Sequence, residues 1–246
     1  MYWLPTPNKI SAGEAIDLLL RERYGIAQEA RVPDWIDDYS LPAEAPIADE
    51  IDRLNHELEE REEQLGSTLQ RAKDAARPRR LLFEKGKLAL EPIVRNALRG
   101  IGATVDDPAV EGIEDGLLLH GEQAAVIEIK GRDGAVKQAD IRQVVQWASD
   151  ARLRDGVPYK PLIIANPYCN TKLEDRGEPL TGNARSYAEN GDVALLTTSQ
   201  LYEAIRMHQL GELDVDAFWS EIFQAKGVVD LPGPATPASA DALSST

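Results

Sequence analysis

The chain of 246 residues holds a single cysteine, Cys169, which rules out an intramolecular disulfide and points to a reducing compartment. Its three histidines, His56, His120 and His208, are scattered and show no zinc-ligand spacing. No run approaches the roughly 18 apolar residues that a membrane span needs. No charged-then-apolar leader opens the sequence, so the expectation is a soluble, cytoplasmic protein with no membrane partner. Positive charge is also scarce: 27 basic against 42 acidic side chains leave a net charge of -15. That balance argues against binding nucleic acid through bulk charge alone. The deficit is uneven, however. Residues 1–77 carry 9 basic and 17 acidic side chains, residues 78–168 carry 13 of each, and residues 169–246 carry 5 and 12. The middle of the chain is its least acidic part, and a bound cation there would add positive charge that the count omits.

The length allows one well-buried domain with extensions. Residues 1–45 form an N-terminal segment that is partly helical. Ser11 to Arg23 reads as a short amphipathic helix, with Ser11 as N-cap and Glu14 completing a capping box. Pro33 to Pro42 reads as extended or turn-like. Trp3, Trp35 and Tyr39 are either a docking surface or packing for the same chain.

Residues 46–77 read as one long helix. Ile47, Ile51, Leu54, Leu58, Leu65, Leu69, Ala72 and Ala76 follow near-heptad spacing. Arg61 takes the seam position between Leu58 and Leu65, and the step from Leu65 to Leu69 slips by one residue beside Gly66. Asp49, Glu50 and Asp52 in the early turns and Arg71, Lys73 and Arg77 in the last suit the helix dipole. Two readings stand together. One is a marginal coiled coil of about four heptads, joining a second copy or a partner protein through 47–76. The other is an amphipathic helix packed on its own domain. In a coil, Glu59, Glu60, Glu62 and Glu63 would repel in a parallel pair, which favours an antiparallel one or a different partner chain.

Residues 78–210 read as an α/β core. Leu88 to Leu98 carries an apolar stripe at Leu90, Ile93, Val94, Ala97 and Leu98, with Glu91 on its border. Pro92 has to sit in a first helical turn or kink the helix. Ala103 to Val105 starts the sheet before a turn at Asp107-Pro108. Two short strands follow, 114–120 and 124–131, joined by a tight polar turn at 121–123. A helix from Gln138 to Arg154, a buried strand at 161–166, a polar loop at 167–181, a helix at 183–190, a strand at 193–197 and a helix at 199–208 complete the core. Residues 211–227 read as an acidic C-terminal helix, and 228–246, rich in Pro, Ala and Ser, as a disordered tail.

The unusual stretch is the second strand of the hairpin. Its period-two alternation puts Val126, Glu128 and Lys130 on one face and Ala125, Ile127 and Ile129 on the other. An acid and a lysine inside an apolar strand are expensive unless something compensates them. A cation and a phosphate would do so, since carboxylates hold hard metals and lysine suits a phosphate or an attacking water. The alternative is an edge strand whose outer face carries a Glu–Lys pair. Asp115, at the start of the partner strand, brings a second carboxylate to the same end. Glu91 reads as a solvated helix acid or as a third acid of the same site.

The acid followed by Glu-x-Lys, in this order of elements, resembles the PD-(D/E)xK nuclease superfamily, which has the restriction-endonuclease-like fold. Gln143 and Trp147, a Gln-x-x-x-aromatic pattern on the next helix, resemble its RecB-like branch. The resemblance covers residues 81 to 210. It implies a mixed central sheet flanked by helices, preceded here by the long helix, and a Mg2+-dependent phosphodiester hydrolase acting on DNA more than RNA, with Mn2+ able to substitute. Asp115, Glu128, the Ile129 carbonyl and Glu91 would hold the metal, Lys130 would orient the attacking water, and Gln143 would position substrate. Glu114 stands where the family has proline, which leaves open whether Asp115 or Glu114 is the ligand.

Overall fold

The computed structural model describes residues 9–24, 32–106 and 114–233. Trp3, the Asp107-Pro108 turn and the tail from residue 234 lie outside the described residues. The chain divides into two compact units, Met1–Ser67 and Thr68–Thr246.

In the first unit, α1 (Ala12–Tyr24) starts at the capping box its sequence suggests. The Ser11 N–H donates to Glu14 Oε2 at 2.8 Å, and the Glu14 N–H donates to Ser11 Oγ at 3.2 Å. The segment after Pro33 is not extended: Asp34–Asp38 forms a 3-10 helix. Pro33, in extended conformation, serves as its N-cap, and Trp35 meets Tyr39 edge to face at 6.0 Å. Both rings are exposed. The long helix α2 (Ala45–Ala76) continues from the first unit into the second and has no buried residue. Ile47, Ile51, Leu54, Leu58, Leu65 and Leu69 are each 49–60% exposed.

The second unit is a six-stranded sheet whose spatial order is its sequence order. The strands are β1 (Thr104–Asp106), β2 (Gly116–His120), β3 (Gln123–Gly131), β4 (Lys160–Asn166), β5 (Ala194–Thr197) and β6 (Gly227–Val228). β1, β2 and β3 pair antiparallel, and β3 to β6 pair parallel. The β2–β3 hairpin closes on Gly121, whose φ of +57° suits the first position of a tight primed turn. The parallel strands need helical crossovers, and α4 (Gln138–Asp155), α5 (Gly182–Asn190), α6 (Thr198–Leu210) and α7 (Val215–Gln224) provide them. α3 (Leu90–Gly100) precedes β1 and carries Pro92 in its first turn, where the missing N–H is harmless.

Both faces of the sheet are covered. Ala125, Ile127 and Ile129 join a core with Leu90, Val94 and Leu98 of α3 and Leu201 of α6. Val126 joins another with Ile141 and Val144 of α4 and Ala184 of α5. Burial on both sides explains why Leu162-Ile163-Ile164-Ala165 reads as an unbroken apolar run.

Two features depart from the sequence reading. α7, expected as a C-terminal helix following the core, contributes Phe218, Trp219 and Ile222 to it. Trp219 is fully buried and donates its indole N–H to the Ile101 carbonyl at 2.9 Å. Residues 228–233, expected within a disordered tail, begin with β6; Gln200 Nε2 then donates to the carbonyls of Val229 and Leu231 at 2.8 and 2.9 Å. Among the described residues no helix is long and apolar enough to cross a membrane.

Candidate active site

β2 begins opposite the middle of β3: its last ladder pair sets Gly116 against Ile127. Beyond that point Glu128 to Gly131 stay paired with β4 on one side only. The open side is where the charged residues collect. Continuing the register by one residue sets Asp115 opposite Glu128, on the face that also carries Val126 and Lys130.

Asp115 caps the open edge. Its Oδ2 accepts from the Ile129 N–H at 2.7 Å, while its own N–H donates to the Ile127 carbonyl at 3.1 Å. The N–H and C=O of one strand residue point to the same side, so the Ile129 carbonyl also faces this edge. Glu114 turns elsewhere. It is buried, and its Oε1 accepts from Arg154 Nη2, near the end of α4, at 3.0 Å.

Glu128 is 1% exposed. Lys130 Nζ lies against its Oε1 as an ion pair, without the angle of a hydrogen bond. Neither carboxylate oxygen accepts a hydrogen bond of ordinary geometry among the described residues. Burial, and then the Asp115 charge, push the Glu128 carboxyl up to about 7, against the pull of Lys130. The Trp147 indole, from α4, also lies close enough to favour the carboxylate, although its buried Nε1 makes no hydrogen bond of good geometry.

The first turn of α3 brings a third acid. Glu91 is 5% exposed; burial, followed by the Asp115 charge, raises its pKa, and Arg95 opposes both. Arg95 Nη1 donates to Glu91 Oε2 at 3.2 Å and to the Asp115 carbonyl at 2.9 Å. Asp115 is thus the shared neighbour of Glu128 and Glu91. Gln143 is not drawn in: it is exposed on α4, one turn before Trp147, and its amide makes no hydrogen bond among the described residues.

The floor of the site is fixed by the approach of residues 84 and 85 to Gly131. A Cβ at Gly131 would come within 2.5 Å of Lys85 Cα. Asn166, fully buried at the end of β4, donates to the Glu84 carbonyl at 2.8 Å and accepts from Arg176 Nη1 at 2.9 Å. Lys85 pairs with Asp133 at 2.7 Å, which holds the Asp133 carboxyl below its usual range.

Three residues here went unread or half-read in the sequence. Arg95 sits one turn after Glu91, an i,i+4 spacing that could have flagged the pair, whereas Arg154 reaches Glu114 across 40 residues with no such signal. Trp147 was legible only as half of a pattern with Gln143.

The donor set partly suits a divalent cation. A buried carboxylate with both oxygens lacking a hydrogen-bond donor, beside a second carboxylate and a backbone carbonyl, is oxygen chemistry of the kind magnesium takes. Among the described residues, however, no group of three or more His, Cys, Asp or Glu is arranged to hold a metal, and Arg95 already engages Glu91.

No protein-family model matches the sequence, and no curated protein matches it. In structure the chain is similar to the restriction endonuclease FokI at 12% identity, with a TM-score of 0.45 over 61% of this chain and 29% of that one. FokI bound to DNA gives a TM-score of 0.44, also at 12% identity, over 57% of this chain and 27% of that one. The chain therefore spans less than a third of the length of those structures. At that level the likeness says nothing about activity.

Proposed function

We propose that this chain is a metal-dependent nuclease that hydrolyses phosphodiester bonds of nucleic acid, DNA more than RNA, in a restriction, repair or defence setting. The observation that carries the reading is Glu128. A carboxylate buried at 1% exposure, held by the Lys130 ion pair alone without a hydrogen bond of ordinary geometry, and with its pKa still raised to about 7, is a standing cost to the fold. A divalent cation would remove that cost.

Asp115, Glu128 and the Ile129 carbonyl would hold magnesium, with manganese as substitute. Glu91 would join them once Arg95 releases it. When bound, the cation supplies Lewis acidity and neutralises charge that builds on the scissile phosphate. The chain's own residues do the rest. Lys130, on the same strand face as Glu128, orients the attacking water and gives up its present partner when Glu128 turns to the cation. Gln143, exposed on α4, positions the substrate.

A second reading draws on the same side chains. Lys130 against Glu128 and Arg95 against Glu91 already neutralise two of the three acids. On that basis the domain is a catalytically silent relative that binds nucleic acid or protein, or the α/β part of a coiled-coil adaptor. One experiment separates the readings. End-labelled duplex DNA, single-stranded DNA and RNA are each incubated with the full chain in magnesium, in manganese and in chelator. The nuclease reading predicts cutting of at least one substrate with the cation and none in chelator. Intact substrates throughout would leave the silent reading.

A further inference from the structure

From Ile47 the apolar stripe of α2 steps by four, three and four residues to Leu58, by seven to Leu65, and by four, three and four again to Ala76. That order of steps reads the same from either end. The slip at Leu69 spoils a regular heptad, yet it makes the stripe symmetric about the point between Arg61 and Glu62. No residue of the helix is buried, and its six leucines and isoleucines stay 49–60% exposed. A stripe of this kind on a helix of 32 residues calls for a partner surface.

We propose that α2 pairs antiparallel with α2 of a second copy of this chain, about a two-fold axis between Arg61 and Glu62. In that register Ile47 meets the partner's Ala76, Ile51 the partner's Ala72, Leu54 the partner's Leu69 and Leu58 the partner's Leu65. The single polar break in the seam becomes self-complementary, since Arg61 faces the partner's Glu62 and the contact occurs twice. A two-fold interface requires such self-complementarity, and a palindromic stripe meets it without a foreign chain.

Charge selects the direction. Within the helix, residues 45–60 hold six acidic and one basic side chain, and residues 61–76 hold three of each. An antiparallel pair lays the acidic half on the neutral half, with Glu50 beside the partner's Lys73 and Asp52 beside the partner's Arg71. A parallel pair sets Arg61 against its own copy and the acidic halves against each other. Two like-charge oppositions, Asp49 with the partner's Asp74 and Glu60 with the partner's Glu63, keep the antiparallel pair from being tight. This inference does not depend on the nuclease reading.

Sedimentation equilibrium on the full chain at tens of micromolar should show a dimer. Arg61→Glu turns two attractive contacts at the axis into two repulsive ones and should weaken the dimer by about tenfold. Arg61→Glu with Glu62→Arg should restore it, because the swapped pair still faces itself across the axis. Direction is read by a spin label on Asp49→Cys in a Cys169→Ala background. The antiparallel register separates the two labels by 25 residues of helix, about 38 Å at 1.5 Å per residue. A monomer, a double variant as weak as the single one, or labels within about 20 Å, as paired parallel helices would bring them, would each overturn the proposal.

Discussion

Replacing Glu128 with glutamine keeps the side-chain volume and removes the charge. The parent carboxyl is raised from 4.5 to about 7 by burial and by Asp115, with Lys130 already counted against that rise. A shift of that size corresponds to roughly 3 kcal/mol. The sign follows from proton linkage. The folded state holds the proton more tightly than the unfolded chain, so the contribution favours folding in full below about pH 4.5 and is lost as pH rises through 7. At pH 8 the parent therefore bears the whole cost of a buried charge. Glu128→Gln escapes it but leaves Lys130 without its counter-ion, so the net gain should be about 1–2 kcal/mol, or roughly 3–6 °C in melting temperature for a chain of this size. Near pH 4.5, where both side chains are neutral, the two melting temperatures should converge. Differential scanning calorimetry across pH 4.5 to 8, without divalent cations, measures this directly. Millimolar magnesium at pH 8 should raise the parent and leave the variant unmoved. A variant less stable than the parent at pH 8 would refute the claim that Glu128 is held at a cost.

Three further outcomes follow from the same geometry. Glu128→Ala and Lys130→Ala should each lower the rate of DNA cutting by on the order of a hundredfold or more while circular dichroism stays unchanged; variants that cut as well as the parent would mean the site lies elsewhere. Asp115→Asn should weaken manganese binding in a calorimetric titration far more than Glu114→Gln, since Asp115 holds the Ile129 N–H and Glu114 is engaged by Arg154; the reverse ranking would move the ligand to Glu114. Gly131→Ala forces residue 85 away from β3 and should cost about 1–3 kcal/mol of stability, read by urea denaturation; an unchanged midpoint would show that the Lys85 backbone yields freely.

Much of the core was readable because its rules are local. The two-residue period of β3 separates Glu128 and Lys130 from Ile127 and Ile129, and the capping box at Ser11 sets the start of α1. The Pro92 problem resolves itself because α3 begins at Leu90. What escaped the sequence is where long-range partners choose one another. Arg154 takes Glu114 across 40 residues, which no spacing rule encodes, whereas Arg95 takes Glu91 at the i,i+4 spacing of one helix, a local pairing that went unread. β6 is two residues long, too short for any periodicity, and is held by a pairing with β5, while Gln200 holds the Val229 and Leu231 carbonyls that follow it. The 3-10 helix at 34–38 forms where composition suggested only a turn. The exposure of α2 was beyond reach too, since an amphipathic stripe looks the same whether its partner is its own domain or another chain.

The most direct test is a crystal soaked in manganese and measured at the manganese absorption edge. The account predicts an anomalous peak between the Asp115 and Glu128 carboxylates, about 2.0–2.6 Å from their oxygens, with Lys130 Nζ withdrawn from Glu128. No peak there, with Lys130 still seated on Glu128 and Arg95 on Glu91, would contradict it.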